Sequence, residues 1–293
     1  MHTAIIPSQA SDARTEGLSM WASLPGLCCQ AAGGDPDWTL DLTAAWLLFY
    51  AAADIMDSVQ DEDPPEPWWE HLGPGAALSV ASGLYFTAGR ALNALHQQEA
   101  TARAAPEIAD DYYNSFLAMT SGQYRELVSD QLSLEAYWEN AAAKSGAFFE
   151  LACRSGARLA TDDSERLKAF ERFGHHLGLL VQLADDMDDI RAPYEAGSPG
   201  QRPGFDRSLP VVYAREVLPQ EEGGRLKEYL RQAPSDADAA GKAIALLDQS
   251  GASLYMRAEI RRHRERALEA LSRTGAGGSS IQELSAMLDR FKI

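Results

Sequence analysis

Three cysteines in 293 residues are too few, and too badly spaced, for a disulfide framework or a zinc cluster. Cys28 and Cys29 are adjacent and Cys153 lies far along the chain, so they read as structural thiols in a reducing compartment, the cytoplasm. Positive charge is scarce too: 26 lysines and arginines stand against 43 acidic residues, a formal net charge of −17. Such a surface repels nucleic acid and anionic membranes alike, which argues against both as partners. The first residues carry Asp12 and Glu16 without the basic-then-apolar order of an export signal. No apolar run is expected to reach the ~18 residues that span a bilayer. No stretch alternates apolar and polar residues as a strand does, and no unit repeats. What remains is an all-α chain, 45% hydrophobic and 24% charged, with no linker composition in its middle. It divides into a polar arm over residues 1–17 and one large helical bundle over 18–293, built around a central cavity.

The most informative stretch runs from Gly174 to Asp189, GHHLGLLVQLADDMDD. Leu177, Leu180, Val181 and Ala184 recur at three- and four-residue steps, the period of a helix facing a core. Gln182, Asp185, Asp186, Asp188 and Asp189 are set into that helix. Asp185 and Asp189 are one turn apart, so both carboxylates lie on one face with Asp186 beside them. Like charges so placed repel unless a cation sits between them. Hard oxygen ligands suit Mg²⁺, which holds few protein carboxylates and prefers substrate phosphates for the rest. The plainer reading, a solvated acidic helix end, does not account for the long apolar lead-in.

A second patch of the same kind occurs earlier, in AAWLLFYAAADIMDSVQDED over 44–63. Asp54, Asp57 and Asp61 are spaced by three and four and line one stripe. Lys144 is the outstanding cation, set in the apolar run AAAKSGAFF of a chain poor in lysine; lysines are seldom buried without a partner. Between these features the pattern predicts one long helix over 134–159 and a Gly/Pro-rich loop over 193–203.

Two apolar helices tipped with acids, with a lysine between them in sequence, resemble the trans-isoprenyl diphosphate synthases and their class I terpene synthase relatives. The second motif, GxxxxQxxDDxxD, is met by Gly178, Gln182, Asp185, Asp186 and Asp189. Gly122-Gln123, Lys144-Ser145 and Ser208-Leu209-Pro210 follow in family order, and the likeness covers roughly residues 20–290. The resemblance implies about three Mg²⁺ ions that help ionise an allylic prenyl diphosphate. Asp57 and Asp61 on one helix, with Asp185, Asp186 and Asp189 on the other, would be the metal ligands and catalytic acids. Lys144, Gln182 and Arg191 would meet the diphosphate, and Phe49, Tyr50, Ala53, Gln123, Phe148 and Gly178 would line the substrate pocket. The first motif departs from DDxxD, and two registers compete, Asp57–Asp61 or Asp54–Asp57; the former is preferred, with Asp54 as an outer ligand or hydrogen-bonding acid. A homodimer is implied as well.

Chain-elongating relatives bind a second diphosphate with an N-terminal basic run and an arginine pair after the first motif. Here the matching positions hold Trp21, Ala22 and Leu24, then Asp63-Pro64-Pro65-Glu66, and Asp206 replaces a lysine, with Arg207 next to it. An apolar or acidic wall cannot stand in for arginines around a diphosphate. The sequence-level expectation is therefore cyclisation, a class I terpene synthase (a lyase). The small Ala52 and Ala53 before the first motif point to a C20 or longer substrate. The alternatives are a prenyltransferase, chain-elongating or with an uncharged acceptor, and a non-catalytic subunit of a heteromeric synthase.

Overall fold

The computed structural model describes residues 20–61, 69–128, 132–191, 207–233 and 236–291, without the side chains of 188–191. The predicted arm over 1–17 and most of the 193–203 loop's surroundings, including that loop itself, lie outside the described residues. Among those described, every regular element is a helix.

Helix α1, Leu24–Ala32, opens on Pro25, whose missing N–H costs nothing in a first turn, and stops at Gly33 with φ 99°. A 3₁₀ turn, Pro36–Thr39, is capped by Asp35, whose side chain accepts the Asp37 N–H. It leads into α2, Leu40–Gln60, which carries the first acidic stripe. Thr39, at the start of that helix, donates its hydroxyl back to the Pro36 carbonyl. Helices α3 (Pro74–Ala94), α4 (Ala105–Val128) and α5 (Leu134–Ala141) follow. The predicted single helix over 134–159 is broken: after α5 comes a π turn, Ala142–Gly146, and only then α6, Ala147–Arg158. Helix α7, Ser164–Arg191, is the longest at 28 residues. Helices α8 (Leu209–Val217), α9 (Gln220–Gln232), α10 (Ala237–Ser250), α11 (Ala252–Arg273) and α12 (Ser279–Met287) complete the chain.

Helix α7 is the axle of the bundle. It packs on α6 and α11, while α2 packs on α3 and α1 on α6. Phe170, Phe173, Leu177, Leu180 and Leu183 of α7 are buried in the main core. Two close approaches need glycine. A Cβ on Gly174 would lie 2.4 Å from the Phe149 carbonyl oxygen, and one on Gly178 would lie 2.1 Å from that of Ser145. No side chain fits there, so these glycines draw α7 against the π turn and the start of α6.

The segment Pro36–Gln60 is, by length and composition alone, apolar enough to cross a bilayer, contrary to the expected absence of any such run. It serves here as a core helix: Leu42, Ala45, Trp46, Phe49, Ala52 and Ile55 are buried against the rest of the fold.

Candidate active site

The π turn is where the two acidic helices meet. Lys144 Nζ lies 3.0 Å from Asp57 Oδ1 on α2 and 3.5 Å from Glu126 Oε2 on α4. The next residue, Ser145, donates its hydroxyl to Gln182 Oε1 on α7 at 2.9 Å. A π turn contains one residue more than an α turn and re-aims the side chains it carries. Adjacent residues thereby reach opposite walls. Burial alone would lower the Lys144 pKa, but the carboxylates of Asp57 and Glu126, with Asp61 farther off, outweigh it and hold the ammonium above its ordinary value.

Asp57 is half-exposed, 47% for its side chain. Asp61 closes α2, its N–H bonded to the Asp57 carbonyl at 2.8 Å. Asp185 is exposed near the end of α7, whereas Asp186 is turned inward and only 4% exposed. Asp186 Oδ2 accepts from the Tyr137 hydroxyl at 2.6 Å and from the Leu209 N–H at 2.7 Å. Its Oδ1 accepts from Gln182 Nε2 at 3.0 Å. Burial, and then the Asp186 carboxylate, push the Tyr137 phenol well above its usual range, so it stays a donor.

Among the described residues no three metal-ligating side chains converge on one point. Lys144 already supplies Asp57 with a cation, and the donor set around it is hard oxygen, which fits Mg²⁺ better than softer metals. The side chains of Asp189 and Arg191 lie outside the described residues.

Several residues predicted for the pocket have other work. The space a side chain at Gly178 would need is filled by the Ser145 backbone. Gln182, predicted at the diphosphate, is bonded at both ends of its amide. Phe148 is 5% exposed, stacks on Trp46 at 4.9 Å, and its carbonyl accepts the Trp46 indole N–H. Phe49 stacks on Phe116 at 4.1 Å. Ala52, read as a sign of pocket depth, is buried beside Ile55, Trp69, Ala77 and Ala81 in the contact between α2 and α3. Tyr50 and Ala53 are half-buried, and Tyr50 lies 5.9 Å from the Phe148 ring. Both amide atoms of Gln123 are enclosed without a hydrogen-bond partner in the chain.

Three contributors escaped the sequence reading: Glu126, Tyr137 and, in part, Arg207. Arg207 Nη1 donates to the Glu126 carbonyl at 2.7 Å and lies 3.9 Å from Glu126 Oε1. Glu126 sits one turn beyond Gln123 on α4 and Tyr137 seven residues before Lys144, but nothing in their spacing alone singles them out.

An all-helical bundle with two acid-bearing helices joined at a lysine defines the isoprenoid-synthase class of fold. A geranylgeranyl pyrophosphate synthetase from Pyrococcus horikoshii superposes with a TM-score of 0.82 at 21% identity, covering 95% of this chain and 88% of that one. The polyprenyl synthetase family model matches residues 27–247, and the chain belongs to that family. The geranylgeranyl diphosphate synthase of Mycobacterium tuberculosis is 28% identical over 83% of this chain and 71% of its own. The short chain isoprenyl diphosphate synthase of Methanothermobacter thermautotrophicus is 26% identical over 87% and 80%. These relatives are named for making prenyl diphosphates, which is prenyl transfer. The terpene synthase (lyase) assignment expected from the missing arginines is overturned by them.

Proposed function

We propose that the protein is a Mg²⁺-dependent prenyltransferase that ionises an allylic prenyl diphosphate beside Lys144. The observation that carries this reading is that Lys144 and Ser145, neighbours in one π turn, contact the two acidic helices at once. Asp57 and Asp61 on one side, with Asp185 and Asp189 on the other, would hold the metal, about three ions by family likeness. Bound Mg²⁺ would supply most of the charge stabilisation that a departing pyrophosphate needs. Lys144 adds a cation from the protein, exchanging its bond to Asp57 for one to the leaving group. Tyr50 and Gln123 stand nearest in role to the allylic chain, and the surrounding aromatic side chains keep water from the reacting carbon.

The acceptor implied by the relatives is a second, homoallylic diphosphate. A specific observation favours another: the stretches expected to bind it hold Trp21, Ala22, Leu24 and Asp63-Pro64-Pro65-Glu66, and Trp21 rests edge-on against Phe149 at 5.2 Å. An apolar, uncharged nucleophile suits stretches of that composition better. Incubation with Mg²⁺ and geranyl, farnesyl or geranylgeranyl diphosphate, with and without isopentenyl diphosphate or an indole, separates the cases. A longer linear diphosphate supports elongation, a prenylated indole supports the second reading, and consumption of neither refutes prenyl transfer.

A homodimer fits the exposed apolar side chains of α3 and α4, where Phe86, Tyr113, Leu117, Tyr124 and Val128 are more than half exposed. Sedimentation equilibrium should give twice the chain mass; a monomer overturns it. The three buried thiols, all free, are in keeping with a cytoplasmic location.

A further inference from the structure

We propose that Asp186 is a positioning residue that fixes Lys144 through Gln182 and Ser145, and is not a ligand of the metal. This rests on the prenyltransferase reading for its chemistry, though the geometry stands without it.

The carboxylate is buried, and both of its oxygens are engaged. Three donors, the Tyr137 hydroxyl, the Leu209 N–H and the Gln182 amide, lie 2.6 to 3.0 Å from its two oxygens. A cation displacing the donors on Oδ2 would leave a buried hydroxyl and a buried backbone N–H without partners, and one displacing Gln182 from Oδ1 would break the link to Ser145; each such loss is costly. Charge-assisted bonds of this length belong to the strong class. The arrangement is also directional. Asp186 accepts but cannot donate, so it turns the Gln182 amide nitrogen toward itself and the amide oxygen away. That oxygen then accepts from Ser145 Oγ at 2.9 Å. Ser145 is held besides by the glycine at 178, which lets α7 touch its backbone. The orientation of one carboxylate is thus passed along an amide and a hydroxyl to the residue next to Lys144.

A second route leaves from the same acid. Its bond to the Leu209 N–H anchors the start of α8. Two residues earlier, Arg207 donates to the Glu126 carbonyl, and Glu126 Oε2 flanks Lys144 Nζ. The lysine is therefore held near its backbone by one branch and at its tip by the other. The circuit closes on Asp186.

The test reads Lys144 directly. The chain has five lysines, so ¹⁵N-lysine ammonium spectra of the full-length, ligand-free protein resolve the one held between two carboxylates. Ser145→Ala should shift or broaden the Lys144 resonance and weaken pyrophosphate binding in the presence of Mg²⁺ by about 10–100-fold, the usual range for a supporting hydrogen bond at a metal site. Ser145→Thr, which keeps the hydroxyl, should restore both. Asp186→Asn should reproduce the Ser145→Ala spectrum; if that variant does not fold, the serine pair carries the test alone. An unmoved Lys144 resonance and unchanged pyrophosphate affinity in Ser145→Ala overturn the proposal, as does an Asp186→Asn protein that only demands more Mg²⁺. Because the resonance is read without substrate, a protein that fails to transfer prenyl groups can still show the coupling, and one that transfers them can still lack it.

Discussion

Helix α7 carries two polar networks, about 15 Å apart along its axis, and they handle burial in opposite ways. Near its C-terminal end, Asp186 is buried with three donors on its oxygens. Lower down, His176 Nδ1 faces His263 Nδ1 of α11 at 3.1 Å, with Trp138, Glu259, Arg262 and Arg266 around them and the His175–Glu150 pair alongside. Burial first, and then neighbouring positive groups, push the His176 pKa down to about 4 and that of His263 to about 3. One end of the helix spends hydrogen bonds to bury a carboxylate; the other packs imidazoles that stay neutral. Donors, and not burial as such, decide which kind of site forms.

The sharpest way to break the comparison is at the site end. Lys144→Met should cost roughly 10²–10³ in the single-turnover rate with an allylic diphosphate, comparable to losing one preorganised donor from a charge-stabilising site. A loss below tenfold would mean that the ammonium only balances Asp57.

Between the two networks, Gly178→Ala would drive a methyl into the Ser145 backbone. Overpacking of this kind costs about 1–3 kcal/mol, visible as a lower urea midpoint, and it should lower pyrophosphate affinity along with stability. Unchanged affinity would show that the π turn tolerates a shift.

The lower network sets a pH dependence. Both histidines have folded pKa values below 6.5, so below that pH the unfolded chain binds protons that the folded chain refuses. Stability is full above pH 6.5 and falls as pH drops toward 4 and 3, by up to about 1.4 kcal/mol per pH unit for each histidine. Urea melts at pH 7, 6 and 5 should show it, and His263→Gln should flatten the slope. A wild-type slope of zero over that range would mean that both imidazoles titrate in the folded protein as they do in the unfolded chain.

Much of the fold and part of the site were legible in the sequence. The acidic stripes follow from three- and four-residue spacing, and Lys144 from being a lone cation in an apolar run. The roles of the acids were not legible: Asp185 and Asp186 are adjacent and identical, yet one is exposed and the other buried. That difference is made by Tyr137 and Leu209, which are 49 and 23 residues away. The glycine at 178 was visible only as part of a motif, because what it avoids is a backbone 33 positions earlier. Ala52 and Ala53 were small for reasons that only the packing of α3 on α2 explains in the first case. The choice between transfer and cyclisation failed for a different reason: it was drawn from absent cations, and an absence does not say what replaces it.

The π turn has one more consequence. Residues before Ala142 and after Gly146 keep separate helical phases, offset by about 100° because one residue is extra. Deleting Ala143 would mend the ladder and give the continuous helix that local propensity favours. It would leave everything upstream, Tyr137 included, facing as it does now; straightening the intact segment into a continuous α-helix is what would swing it around the axis relative to α6. The chain thus retains a helix spliced from two reading frames, and the splice falls on the lysine.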